Sequence, residues 1–422
     1  MAGDPGDRVG RVVGGVVVNL RIPWIVLGWL WLAADVVALS ATELWDMRSL
    51  GEVPAAAWGV RTGLVQEVYY AGESLGGRPT RVFGYLGRPA ETSSAGMKRL
   101  PAMVLVHGGG GKAFQQWAEH WARRGYVALA MDLAGNGPSG RLPEGGPDQA
   151  DPVKFREFEV GEEREMWTYH AVAAVIRGHS LLRSLPEVDP DRVGITGISW
   201  GGYLTCLVAG VDRRFQVAVP VYGCGFLGDN SVWKDKSLAA MSAVARARWL
   251  TLFDPGHYLD RVRCPILFLN GTTDFAYPLD SYQKSYRQVP SRFRHISVVV
   301  DLPHGHIWTF PEVDAFVDAE LQEGTALSRL GPPTVRKGIV ESKVRGRTPI
   351  REARFCYTTD MGPWQKRVWK TQPARVDGAR IRTECPVDRP WVGFLAVTDD
   401  RGLRVSSEQV EFGGPVPALI RR

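Results

Sequence analysis

From residue 81 onward, short apolar runs alternate with stretches whose apolar positions recur at helical spacing. The run 102–107 (AMVLVH) is apolar at successive positions, as a strand buried on both faces requires, and 114–124 has the spacing of a one-sided helix. The pattern then repeats through strand 126–132 (YVALAMD), helix 166–185 and strand 192–198 (RVGITGI). It continues through strands 215–222, 265–270 and 296–302 to a helix near 313–321. Such alternation predicts a mostly parallel sheet flanked by helices. Two stretches interrupt it: the Gly/Pro/Asp-rich segment 133–152 reads as a long loop, and 224–263 as an insertion of the kind that walls or covers a substrate site. After 330 the period drops to two, with Gly, Pro and Asp turns, as in 391–398 (WVGFLAVT), which predicts a small β-sandwich.

The chain therefore divides into an N-terminal apolar segment (1–40), an α/β domain (41–330) and a sandwich module (331–422). Arg8, Arg11 and Arg21 precede the apolar run 22–39, and small residues at Ala38 and Ser40 suit cleavage before Ala41. That reads as an export signal and a periplasmic or secreted product; an uncleaved membrane anchor and a misplaced start are the rival readings. Charge sharpens the division. Of a net +6, residues 331–422 hold 18 Lys/Arg against 10 Asp/Glu, so the remainder is slightly acidic. A basic module of this kind either touches an anionic polymer or membrane surface or is a solvated basic face, and nothing in it points to nucleic acid. Five cysteines without a CxxC pair form neither a disulfide framework nor a zinc site, so no metal or cofactor is expected. Cys356 and Cys385 share one module and read either as a bridge or as two buried thiols.

The chemistry gathers around Gly197-Ile198-Ser199-Trp200-Gly201, which follows a buried-type strand and opens a helix rich in small residues. Glycines on both sides of a serine allow the sharp strand-to-helix turn that exposes its hydroxyl. A serine needs a base to take its proton and an acid to orient that base, in this fold in the order Ser, Asp/Glu, His. Asp274, just past strand 265–270, fits the acid position better than Asp254 or Asp280. The base must come from Pro303-His304-Gly305-His306; His306, with a glycine before it to fold the ring back, is preferred over His304. The run His107-Gly108-Gly109-Gly110-Gly111 follows strand 102–107, and the backbone N–H groups of Gly109 and Trp200 are the expected oxyanion donors. His107 reads as the residue that fixes this loop. Trp167, Tyr169 and His170 read as core or helix packing ahead of substrate contact, whereas Tyr222, Phe226, Trp233, Phe275 and Tyr277 lie near strand ends and read equally as substrate pocket or core.

These segments, VLVHGGGG (104–111), YVALAMDLAGNGP (126–138), SLPEVDPDRVGITGISWGGY (184–203), NGTTDFAYP (270–278) and PHGH (303–306), resemble the acetylxylan-esterase-like and dienelactone-hydrolase-like bacterial esterases. Those share their architecture with the catalytic domain of prolyl oligopeptidases. The resemblance implies an α/β-hydrolase fold, a triad of Ser199, Asp274 and the PHGH histidine, and a fibronectin-type C-terminal appendage. It also implies hydrolysis of small acyl esters, acetate on a carbohydrate among them. The chain departs from dienelactone hydrolases in carrying Ser199 where they use cysteine, and lacks room for the propeller of prolyl oligopeptidases. A serine peptidase and a non-catalytic polymer-binding protein are the competing functions. Oligomeric state has no signature in the sequence.

Overall fold

A computed structural model describes residues 43–90 and 99–413. The expected export segment therefore lies outside the described residues. At the centre is a nine-stranded sheet. Its strands are β1 (Ala56–Thr62), β2 (Val65–Ala71), β3 (Arg81–Gly87), β4 (Leu100–Val106), β5 (Val127–Met131), β6 (Val188–Ile198), β7 (Val217–Val221), β8 (Ile266–Gly271) and β9 (Arg294–Val299), in the order β1-β2-β3-β5-β4-β6-β7-β8-β9. From β5 to β9 every neighbour is parallel, and β1 to β3 join as antiparallel strands. The fold is thus the α/β-hydrolase type expected. The hairpin β1–β2 was not foreseen: β1 is exposed along almost its whole length and so carries no alternating apolar signal.

Helices α1 (Gln115–Arg123), α2 (Trp167–Ser184) and α3 (Trp200–Val211) follow β4, precede β6 and follow β6 in turn. In α2, Trp167, Tyr169 and His170 are all buried, with the Trp167 indole donating to Leu133 O at 2.7 Å. Residues 224–263 form an insertion whose main element is α4 (Ala243–Phe253). Its base is pinned by Asp254, which accepts from the backbone N–H groups of Phe226, Leu227 and Gly256 at 2.7–2.8 Å. Helices α5 (Leu279–Gln288) and α6 (Pro311–Leu321) complete the layers.

The C-terminal strands form two antiparallel sheets, the sandwich anticipated from the period-two pattern. One runs β10 (Arg329–Leu330), β12 (Ile339–Arg345), β16 (Arg380–Glu384), β15 (Arg375–Asp377), with β11 (Thr334–Arg336) also paired to β12. The other runs β14 (Lys370–Pro373), β13 (Ile350–Thr358), β17 (Trp391–Asp399), β18 (Arg404–Ser406), with β19 (Val410–Phe412) on β17. This second sheet is docked on β9, the open edge of the large sheet. Ser406 Oγ accepts from Val298 N at 2.9 Å, Ser297 Oγ donates to Arg404 O at 2.8 Å, and Arg404 pairs with buried Glu312 at 3.2 Å. An uncovered edge strand invites pairing with another chain, and here the module covers it. The five cysteines are all free thiols, so Cys356 and Cys385 are not bridged.

Candidate active site

The sharp turn between β6 and α3 puts Ser199 at φ 59°, ψ −117°, a backbone region costly for a residue with a Cβ. Its environment enforces that shape. Ser199 N donates to Val221 O at 2.9 Å, and Tyr203 N donates to Ser199 O at 2.9 Å. A Cβ on Gly197 would lie 2.2 Å from Gly201 O, and one on Gly201 only 1.9 Å from Val106 O. The chain can pass between β4, β6 and α3 only without side chains there. Ser199 itself remains partly exposed.

Asp274, fully buried, accepts from Ala276 N (2.9 Å) and Tyr277 N (2.7 Å) through one carboxylate oxygen. Its other oxygen lies 2.6 Å from Nδ1 of His304. Of the two histidines, it is thus His304 rather than the preferred His306 that lies against the acid: the loop from 302 to 306 directs His304 back toward Asp274, and His306 turns toward the glycine loop. An ionised carboxylate can only accept, so Nδ1 is the donor of this bond, and Nε2 is the nitrogen on the other side of the ring. The imidazole stacks on Tyr222 (ring centroids 4.5 Å apart, 27° between planes) and contacts Phe275 at 4.7 Å. Tyr222, itself at φ 64°, follows the Val221 carbonyl that holds Ser199 N, and its hydroxyl donates to Pro303 O at 2.9 Å. One tyrosine therefore ties the strand that holds Ser199 N to the histidine loop. The other acids have separate duties: Asp254 anchors the insertion and Asp280 accepts from the Asn230 amide.

His306 is exposed, with its ring 5.3 Å from that of Phe114 and its Nε2 against the glycines; a Cβ on Gly111 would come within 2.8 Å of it. Partial burial and the neighbouring His304 hold its pKa below the ordinary value. His107 is buried, accepts from Leu133 N at 2.9 Å and donates to Gly108 O at 2.8 Å, fixing the loop between β4 and β5; burial lowers its pKa. A Cβ on Gly108 would sit 2.9 Å from the Cβ of Ser199, so this loop crosses directly over that serine. The Gly109 N–H makes no backbone hydrogen bond among the described residues, and Trp200 N, first in its helix, has no intrahelical acceptor. Both remain available to an incoming oxygen.

One residue escaped the sequence reading. Lys154, 3 % exposed, lies on the one-turn helix Asp151–Lys154 and places its Nζ 4.2 Å from the Trp200 ring centroid and 2.9 Å from Asp151 Oδ1. The other Asp151 oxygen accepts from the Trp233 indole at 3.0 Å, and Trp233 packs on Trp200 at 4.5 Å. The Trp200 indole is thus clamped by an ammonium and a tryptophan that share one carboxylate, while its Cδ1 stands 2.8 Å from where a Gly109 Cβ would be. No local pattern marks a lysine in a loop as buried. Of the aromatics near strand ends, Tyr222 stacks on His304, Trp233 on Trp200, Tyr277 is buried against Trp233, and Phe275 is 55 % exposed at the mouth of the site. Among the described residues no cluster of His, Cys, Asp and Glu could hold a metal ion.

Sheet order, elbow and a buried carboxylate–imidazole pair define a protein of the α/β-hydrolase class. Within that class the chain belongs to the acetyl xylan esterase family: the family model described as acetyl xylan esterase (AXE1) matches residues 56–279. The acetyl esterase Axe7A of Xylanibacter ruminicola is 23% identical over 216 residues, 47% of this chain and 46% of that one. An uncharacterized peptidase of Bacillus subtilis, YuxL, is 27% identical over 36% of this chain and 21% of its own length. The alignments thus span less than half of either relative. Among solved structures, an acetyl xylan esterase from a Paenibacillus species superposes with TM-score 0.53 at 20% identity, covering 65% of this chain and 92% of that one. That from a Thermoanaerobacterium species gives 0.50 at 19%, covering 67% and 93%. At such identities the superpositions speak to the fold.

Proposed function

We propose that this chain is a serine carboxyl-ester hydrolase acting through an acyl-enzyme, on small acyl esters such as acetate carried by a carbohydrate. The observation that carries the reading is the 2.6 Å contact between Asp274 and His304, seated on Tyr222 beside the Ser199 elbow. In the mechanism, His304 Nε2 takes the Ser199 hydroxyl proton as Oγ attacks the ester carbonyl, and Asp274 stabilises the imidazolium through Nδ1–H. The N–H groups of Gly109 and Trp200 receive the oxyanion. His304 then returns the proton to the departing alcohol, and water, activated the same way, frees the acid. His306 lines the site above the glycine loop and takes no proton in this scheme.

A peptidase acting on free amino termini would need carboxylates facing the site. The pair Glu162–Glu163 is instead engaged in its own loop, accepting from Glu159 N at 3.1 Å and Gly161 N at 2.9 Å. We further assign the reaction to the exported compartment on the strength of the apolar run 22–39. Among the described residues no helix is long and apolar enough to cross a membrane. The test is to assay p-nitrophenyl acetate, acetylated xylan and an aminoacyl nitroanilide alongside fluorophosphonate labelling. Ester cleavage and labelling that vanish in Ser199→Ala are expected; cleavage of the anilide alone would replace the esterase reading with the peptidase one.

A further inference from the structure

The sandwich carries a groove of about 830 Å³ on the outer face of the β12–β16–β15 sheet, remote in sequence from every residue of the candidate active site. Strand β12 alternates: Val340, Ser342 and Val344 point into the sandwich, so Ile339 and Glu341 face outward, joined across the sheet by Glu384 and Arg382. Gln372 and Pro373 of β14, from the other sheet, rise along one side and turn a solvated face into a trough.

Four cations and two carboxylates line it. Arg382 is neutralised, sharing Glu341 with Arg380. Arg336, Lys337 and Arg375 form no ion pair among the described residues. Lys337 is also preset: it and Gly338 form the two-residue turn between β11 and β12, with φ of 50° and 75°, the mirror-type turn that hairpins of this length use. With four cations against two carboxylates, and three of the cations outside any ion pair among the described residues, the trough has a net positive lining that suits an anion. Its spacing must be sparse, because Glu341 and Glu384 in the same trough would repel a dense row of charges. Those carboxylates suit hydrogen bonds donated by hydroxyl groups, and the apolar surfaces of Ile339 and Pro373 suit the carbon face of a sugar ring. No aromatic plane lines the trough on which a nucleobase would stack.

We propose that this groove binds a hydroxyl-rich, carboxylate-bearing polysaccharide, holding the enzyme on an acidic glycan while the α/β domain acts. The inference deepens the esterase reading by naming the chemistry of the polymer, yet its test needs no turnover. The full-length protein is titrated by affinity electrophoresis against polygalacturonate, with neutral dextran and double-stranded DNA as comparators. Retardation is expected in polygalacturonate only, weakening as salt rises. Arg336→Gln/Arg375→Gln should weaken it roughly tenfold, with hydrolysis of p-nitrophenyl acetate unchanged. Equal retardation in dextran, or a double variant that binds like the parent, would overturn the proposal. Tighter binding to DNA would make the trough a nucleic-acid surface and overturn it as well. A protein inert on esters but retained by polygalacturonate would sink the esterase reading and leave this one standing.

Discussion

Glycine does opposite work in two regions of this chain. At the elbow it allows contact: a Cβ at Gly201 would fall 1.9 Å from Val106 O, inside the atoms of a neighbouring strand. In the sandwich it allows conformation: Gly338 holds φ 75° in a turn with nothing within 4 Å of where its Cβ would be. The elbow is over-determined, with each residue fixed by backbone from several strands, whereas the sandwich is a regular frame whose turns and outer faces are free to vary. Chemistry that depends on tenths of an ångström belongs in the first environment, and recognition of an extended polymer suits the second.

The largest effects should fall where that over-determination meets the reaction. Ser199→Ala and His304→Ala should each lower kcat/KM on p-nitrophenyl acetate by about 10⁴-fold or more, with unchanged circular dichroism. His306→Ala should stay within about tenfold, since His306 holds no carboxylate. If His306→Ala proved the dead variant, the Asp274–His304 contact would have to be read as structural. Next comes the glycine contrast itself. Gly201→Ala should cost more than about 4 kcal/mol or prevent folding, as backbone collisions do, while Gly338→Ala should cost about 1 kcal/mol. Comparable losses in urea unfolding would erase the distinction.

The seam between the two regions titrates. His295 on β9, packed at 5.0 Å on Phe316, is pushed down to about 4 by burial and by Arg329 at the start of the sandwich. Between that value and the ordinary histidine value near 6.5 the unfolded chain binds the extra proton. Stability therefore rises with pH across this window, is complete above it, and is lost as pH falls through it, by about 3 kcal/mol for this group. Buried His107, His170 and His179, also lowered, act with the same sign. The informative measurement is thus the difference in acid sensitivity between wild type and His295→Gln. A difference that does not change between pH 7 and pH 4.5 would remove the seam from the argument.

What the sequence made legible follows the same division. Strand–helix alternation, the elbow and the order Ser199, Asp274, histidine could all be read because each rests on local pattern or chain order. The choice between His304 and His306 could not, because two histidines flanking one glycine are locally equivalent and only Asp274 and Tyr222, 30 and 82 residues away from His304, separate them. Period two announced the sandwich but not its docking on β9, which is made by Ser406, Arg404 and other polar side chains with no pattern of their own. Lys154 was invisible for a related reason: a lysine is buried only when something remote compensates it, and here that is two tryptophan rings and Asp151.

A modest predicted effect tests how far the over-determined region extends. If the ammonium of Lys154 fixes the Trp200 indole, and the indole supports the Gly109 backbone, then Lys154→Met should loosen the oxyanion donors while filling the same space. Asp151, 46% exposed, is not stranded by the change. A cation–π contact in this setting is worth about 1–2 kcal/mol. The expected result is kcat lowered roughly tenfold with KM nearly unchanged, since the donors act on the transition state more than on the bound ester. Lys154→Arg, which keeps the charge over the ring, should recover part of it. A fall in thermal stability with kcat intact would make Lys154 a packing residue, and the region in which tenths of an ångström matter would end at Trp200.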